Sequence, residues 1–318
     1  TDVDAKVQEC VDGILSGNIR LAARAITMIE SRDPIAKKIV EGVFPHGGKV
    51  PVIGITGPPG VGKSTLVNSM VSLCREKKQR IGVLAVDPSS PFTGGAILGD
   101  RVRMSSHFTD ENVFIRSMAS RNSLGGLAYA TRSALYVMEA MPLDIIFVET
   151  IGVGQGEVDI MKTADIVILV QEPGAGDDIQ AVKAGILEIG DIFVVNKADR
   201  DGVEKTVSEL KEMVDFHYQE KELVWMPPIL KVEALKELGV NKILEEIVKY
   251  QLFMNENIEL KLRKEKRKIQ SILLEICKEI AAEKLFGNIE THFDENVINL
   301  ILERKKDPYT ISSDVMRK

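Results

Sequence analysis

The sequence predicts an α/β fold: a mainly parallel, doubly wound sheet flanked by helical extensions at both ends. Six short apolar runs carry the prediction: "VPVIGIT", "RIGVLAVD", "LDIIFVET", "DIVILVQE", "DIFVVNKAD" and "WMPPILKV". Each ends in a polar or glycine-rich turn. Their apolar residues do not alternate with polar ones, as expected of strands buried on both faces. Helical segments separate the runs, and strands alternating with helices form a parallel sheet.

Taken in order, residues 1–48 read as an N-terminal helical extension. Val7, Val11, Ile14 and Leu15 recur at helical spacing, as do Leu21, Ala25, Met28 and Ile29. Gly13 and Gly17-Asn18 are expected to punctuate between these helices. The break "FPHGGKVP", Phe44 to Pro51, marks a boundary. The α/β domain is expected over 49–252. Its helices are expected over Ser64 to Lys78, Leu124 to Met141, Asp178 to Ile189 and Val203 to Glu220. The stretch between Asp87 and the third run has glycines at 94, 95, 99, 125 and 126. It reads as one long switch-like connection followed by a helix. From about Ile243 to Phe286 the pattern is helical and highly charged, and 253–318 is expected to be a separate C-terminal helical segment. Its basic block "KLRKEKRK" reads as a solvated helix face.

Composition narrows the function classes. The chain has 318 residues, 44% hydrophobic and 28% charged, which excludes collagen-like, mucin-like and wholly disordered proteins. A net charge of −6 and a pI of about 5.5 argue against nucleic acid or an anionic membrane as partner. Cys10, Cys74 and Cys277 lie far apart and form no C-x-x-C pair, so neither a zinc site nor a disulfide framework is expected. No run of about 18 apolar residues predicts a membrane span, and "TDVDAKVQEC" lacks the pattern of a secretory signal. The expected compartment is the cytoplasm.

The chemistry begins with "GPPGVGKST", Gly57 to Thr65, which fits G-x-x-x-x-G-K-[ST] after the first run. Gly57, Pro59, Gly60, Val61, Gly62, Lys63, Ser64 and Thr65 are the expected phosphate-binding residues. Gly60 and Gly62 allow the backbone to curl so that successive N–H groups point at phosphate oxygens. The following helix adds its positive end. Lys63 is expected to reach the β/γ-phosphates, and the Ser64 hydroxyl is a hard ligand for Mg²⁺.

"NKAD" ends the fifth run and has the form N-K-x-D. The Asp199 carboxylate can accept from guanine N1–H and the 2-amino group, which adenine cannot offer. Asn196 can bond the base edge and tie its loop down, and the Lys197 stem can lie along the base. GTP is therefore preferred over ATP. Asp87, Glu149 and Asp100 are the carboxylates expected near Mg²⁺. Val153 occupies the position after Gly152 where a water-positioning glutamine often stands; Gln155 is the substitute candidate. Intrinsic hydrolysis is expected to be slow, completed by a partner or second subunit. "EPGAGDDIQAVKAG" follows the fourth run and offers Asp177, Asp178 and Lys183.

Together these strings resemble the MeaB/ArgK-type GTPases, chaperones of adenosylcobalamin-dependent acyl-CoA mutases. "VLAVDPSSPFTGGAILGDRVRM" and "PGAGDDIQAVKAGILEI" are specific to that family, and "ETIGVGQGEVDI" belongs to the same likeness. "AARAITMIESRDP" and the terminal "DPYTIS" extend the likeness along nearly the whole chain. The resemblance implies a SIMIBI-class G domain and a homodimer joined through a C-terminal arm. It implies slow GTP hydrolysis with Mg²⁺, accelerated by the client mutase, most often methylmalonyl-CoA mutase. Hydrolysis would gate loading of adenosylcobalamin, which belongs to the mutase. By position, Asp87 and Asp100 would lie in a first switch and Glu149 would begin a second. Lys183, with Asp177 and Asp178, would lie in a third that relays nucleotide state to the partner.

Two departures stand out. Asn122 replaces a usual glycine, and Glu233-Ala234 stands where the last motif usually reads Ser-Ala, near the guanine carbonyl. Two other readings compete: a nickel metallochaperone GTPase, and a P-loop kinase or transport ATPase. The first would carry His-rich or paired Cys/His tracts, which the sequence lacks, and the second does not account for N-K-x-D.

Overall fold

The structure is a computed structural model. It describes residues 2–87, 107, 109–119, 126–150, 161–174, 190–218 and 225–286, and a few positions beyond 297. The chain forms two compact units, residues 1–263 and 264–318.

The first unit opens with α1 (Asp2–Leu15), α2 (Ile19–Glu30) and α3 (Pro34–Val43). Local chemistry sets their ends. The Asn18 side chain accepts from the N–H groups of Arg20 and Leu21, capping α2. Asp33 caps α3 by accepting from Ile35 N–H, with Pro34 in the first turn. Gly13 does not punctuate: it lies inside α1, and the break falls at Gly17, whose φ is 86°. A Cβ on Gly13 would stand 2.2 Å from Leu21 Cδ1, so this glycine lets α1 and α2 approach closely.

The sheet contains β1 (Val52–Thr56), β2 (Ile81–Asp87), β3 (Val113–Ala119), β4 (Ile145–Thr150), β5 (Ile166–Gln171), β6 (Ile192–Val195) and β7 (Ile229–Lys231). Its order is β3-β2-β4-β1-β5-β6-β7, with every pairing parallel. The doubly wound parallel sheet is thus as the sequence predicts. β3 was not expected; it is the edge strand inside the stretch read as one long connection. Arg116 and Ser117 interrupt its apolar run, and Arg116 forms an ion pair with Glu30 of α2.

Between the strands come α4 (Lys63–Glu76), α5 (Gly126–Ala140) and α6 (Val203–Tyr218); α7 (Val240–Glu256) and α8 (Ile258–Phe286) follow β7. Successive strand residues face opposite sides of the sheet. Ile53, Ile55, Ile145, Phe147 and Ile168 face one side, where Leu66 and Met70 of α4 and Ile243 and Ile247 of α7 cover them. Leu84, Val86, Ile146 and Val148 face the other side, in one core with Ile14, Ile26, Ile29 and Ile39 of α1–α3 and Met138 of α5. Leu210 and Val214 of α6 pack with Leu169, Phe193 and Val195. In α8, Ile269, Leu273 and Ile280 are exposed.

Candidate functional site

β1 sits between β4 and β5, and the Gly57–Thr65 turn leaves its carboxyl end. Ligands of doubly wound sheets bind at such ends. The turn is possible only with glycine at its tightest points. A Cβ on Gly57 (φ 148°) would stand 2.1 Å from Val170 O of β5. One on Gly62 (φ 95°) would stand 2.4 Å from Asn196 Nδ2. Val61 turns its side chain into the α4-side core, and Pro59 and Gly60 are exposed. Lys63 and Ser64, the first residues of α4, are each only 5% exposed. The Lys63 ammonium donates to Gly57 O at 2.7 Å and Pro58 O at 2.9 Å, so the cation lies against the loop. Thr65 follows, half-buried.

Glu149, 1% exposed, is the penultimate residue of β4 and faces α4. Its Oε1 accepts the Ser64 hydroxyl at 2.6 Å. A hydroxyl and a carboxylate meeting where the phosphate loop runs into α4 form a hard oxygen donor set that fits Mg²⁺. Asp87 ends β2, where its backbone is described; Asp100, Gln155 and Lys183 lie outside the described residues, as do Asp177, Asp178 and Asn122.

Asn196 follows β6 and is 2% exposed. Its Nδ2 donates to Val61 O at 2.9 Å, and its Oδ1 accepts Ala234 N–H at 3.0 Å. One amide therefore ties together the phosphate loop, its own loop and the Glu233-Ala234 turn. Ser69 of α4 fixes that turn from the other side, donating to Ala234 O at 2.6 Å. Glu233 pairs with Lys236 at 2.7 Å. The Lys236 ammonium is held above its usual range first by that hydrogen bond and then by the Glu233 charge, with Asp199 adding a smaller contribution. Asp199 itself is exposed.

Lys197 adopts φ 57°, a left-handed conformation rare for residues other than glycine. Its ammonium donates to Gly60 O at 2.7 Å and to Glu172 Oε2 at 2.5 Å. Arg200 reaches the same Glu172 oxygen at 3.1 Å. Glu172, Arg200 and Ser69 were not singled out from the sequence. Only Glu172 carried a signal, since it directly follows an apolar run at the carboxyl edge of the sheet.

Comparison with known proteins accords with this geometry. Residues 22–290 match the family model described as methylmalonyl Co-A mutase-associated GTPase MeaB. The chain belongs to the MeaB family of GTPases. Among relatives, a putative GTPase of Pyrococcus abyssi is 43% identical over 313 residues, covering 98% of this chain and 96% of that protein. The GTPase ArgK of Escherichia coli is 34% identical over 254 residues, covering 78% and 76%. A mitochondrial methylmalonic aciduria type A homolog of Mus musculus is 32% identical over 271 residues, covering 77% and 64%. The crystal structure of a LAO/AO transport system kinase has the same fold, with a TM-score of 0.70 at 24% identity, covering 98% of this chain and 97% of that one. MeaB membership and the P-loop turn together make this a guanine-nucleotide-binding GTPase fold. Among its described residues no helix is long and apolar enough to cross a membrane.

Proposed function

We propose that this MeaB-family protein hydrolyses GTP slowly with Mg²⁺. In this reading it acts as a chaperone that gates adenosylcobalamin loading onto an acyl-CoA mutase, with methylmalonyl-CoA mutase as client. The observation that carries the chemistry is the Ser64–Glu149 contact of 2.6 Å where the phosphate loop enters α4. The client is supported by the names of the family and of the mouse relative.

In this reading the Lys63 ammonium exchanges its loop carbonyls for the β/γ-phosphate oxygens. N–H groups of residues 60–65, at the positive end of α4, line the phosphates. Ser64 and Glu149, with Asp87 and Asp100, would hold Mg²⁺, which supplies charge neutralisation of the phosphates. The Asp199 carboxylate accepts from guanine N1–H and its 2-amino group, and Asn196 keeps that loop seated. Lys197 lies along the base, and the Glu233-Ala234 turn borders it. Gln155 would orient the attacking water, and Lys183 would report nucleotide state to the partner. Residues 49–252 would form the G domain, with 1–48 its helical extension. Residues 253–318 would form the homodimer arm, for which the exposed Ile269, Leu273 and Ile280 at four- and seven-residue intervals offer an apolar face. The compartment in this reading is the cytoplasm, consistent with free thiols at Cys10, Cys74 and Cys277.

The test is GTP turnover by the purified protein, alone and with a cobalamin-dependent acyl-CoA mutase from the same source. Alone, turnover should fall in the range of about 10⁻⁴–10⁻² s⁻¹ seen for unassisted GTPases. Adding the mutase should accelerate it. Fast turnover indifferent to any such mutase would refute the chaperone reading.

A further inference from the structure

Glu172 is the first residue after β5, and Lys197 lies two residues after β6, the neighbouring strand. In register, Gln171 stands beside Val195, so Glu172 comes level with Asn196 and its side chain reaches across to the next loop. A single oxygen, Oε2, accepts both Lys197 Nζ at 2.5 Å and Arg200 Nη1 at 3.1 Å. The same Lys197 ammonium holds Gly60 O of the phosphate loop at 2.7 Å. Three loops are thus joined by one cation and one carboxylate. The Lys197 and Glu172 side chains are 26% and 25% exposed, so water screens this pair only in part.

The backbone adds a second argument. Lys197 sits at φ 57°, and a non-glycine residue stays there only when its surroundings hold it. The ammonium end is anchored at two acceptors and the backbone end by Ala198 N–H to Val232 O at 3.0 Å, so the stem between them has little freedom. If Glu172 were neutral, the ammonium would keep one anchor of the two, and the long stem would recover rotamer freedom.

We infer that Glu172 is a positioning residue for guanine nucleotide: by clamping Lys197, with Arg200 steadying the clamp, it slows release of the bound nucleotide. The inference rests on the reading of the N-K-x-D loop as the guanine site. Glu172 touches neither base nor phosphate in this scheme. Its removal acts on dwell time and leaves base preference and phosphate chemistry alone.

The experiment follows release of a fluorescent GDP analogue from the full-length chain by stopped flow. Glu172→Gln keeps the shape and removes the charge. It should speed release about tenfold, the usual weight of a charge-assisted hydrogen bond, with association within about twofold of the parent and the guanine-over-adenine preference unchanged. Arg200→Ala, at a side chain 56% exposed, should speed release by about two- to threefold. On a Lys197→Ala background, Glu172→Gln should add nothing, because the clamp has already lost its cation. A folded Glu172→Gln protein with parental release would overturn the inference, as would full additivity with Lys197→Ala. Should Glu172→Gln fail to fold, parental release from Arg200→Ala would overturn it. Failure of the parent protein to bind GDP at all is a separate result, and would overturn the guanine reading itself.

Discussion

Ser64 and Glu149 are 85 residues apart in sequence, yet their side-chain oxygens meet at 2.6 Å inside the protein. In the proposed reading the two oxygens together would hold Mg²⁺, because a hard divalent ion needs several oxygens at fixed spacing. Glu149→Gln should therefore raise the Mg²⁺ concentration needed for half-maximal GTP turnover by roughly 10–100-fold, measured by Mg²⁺ titration. An unchanged titration would remove Glu149 from the metal site. The exposed Asp199 offers a separable test of base recognition. Asp199→Asn replaces an acceptor oxygen with an amide donor and should weaken GTP binding by about 10–100-fold while favouring xanthosine triphosphate. Competition binding with the two nucleotides measures the switch.

At the scale of the element, the connection between β1 and α4 tolerates glycine alone at some points and mainly prefers it at others. A Cβ at Gly57 would collide with Val170 O at 2.1 Å, whereas one at Gly60 would meet nothing within 4 Å and faces only the strain of φ 83°. Gly60→Ala should cost about 1–2 kcal/mol and Gly57→Ala more, in urea unfolding, because β5 must move as well. Equal losses would mean the loop is softer than its packing implies. The helix that follows is held at its other end by groups that respond to acid. Burial pushes the His107 imidazole, 3.3 Å from Ser72 Oγ, below its ordinary 6.5, against a smaller upward pull from Asp110. Asp110 is held below 3.8, chiefly by the hydrogen bond from Arg75. Both groups bind fewer protons folded than unfolded, so both contributions disappear on acidification. The His107 contribution is complete above 6.5 and declines below it, and that of Asp110 declines below 3.8. Urea midpoints across this range should show the upper decline, and His107→Gln should flatten it.

The elements also show what the sequence could reveal. Runs buried on both faces, such as "IIFVET" and "IVILVQ", announce themselves because every position is apolar or nearly so. The β3 segment "VFIRSMA" does not, because an edge strand has a polar side, and here Arg116 uses it to reach Glu30 and Thr27. The phosphate loop and N-K-x-D were legible because their spacing is local. The ties among them, Asn196 to Ala234 and Glu172 to Lys197, span 38 and 25 residues and leave no spacing signal, since folding alone sets those distances.

For the whole molecule, the decisive feature is that the first three helices do not form a core of their own. Ile14, Ile26, Ile29 and Ile39, each at most 1% exposed, share one cluster with Leu84, Val86, Ile146 and Val148 of the sheet. Each large aliphatic side chain buried there contributes about 1.5–3 kcal/mol. Removing residues 1–43 would uncover the part of that side not covered by α5 and α6, including the faces of Leu84, Val86, Ile146 and Val148 that share the cluster, so the shortened chain should aggregate or melt without cooperativity, as followed by calorimetry and light scattering. A soluble truncated protein with a sharp transition would show that the helices are accessory.

The Asn196 amide spans Val61 O of the phosphate loop and Ala234 N–H of the turn beyond β7. Cut GDP into pyrophosphate and guanosine, and each fragment would press on one end of the same short lever. Ordering the loop with pyrophosphate should then prepare the far end for guanosine, and guanosine must return the favour by an equal factor. The molecule would sense the two halves of its nucleotide as one signal, and Asn196→Ala should make them strangers to each other.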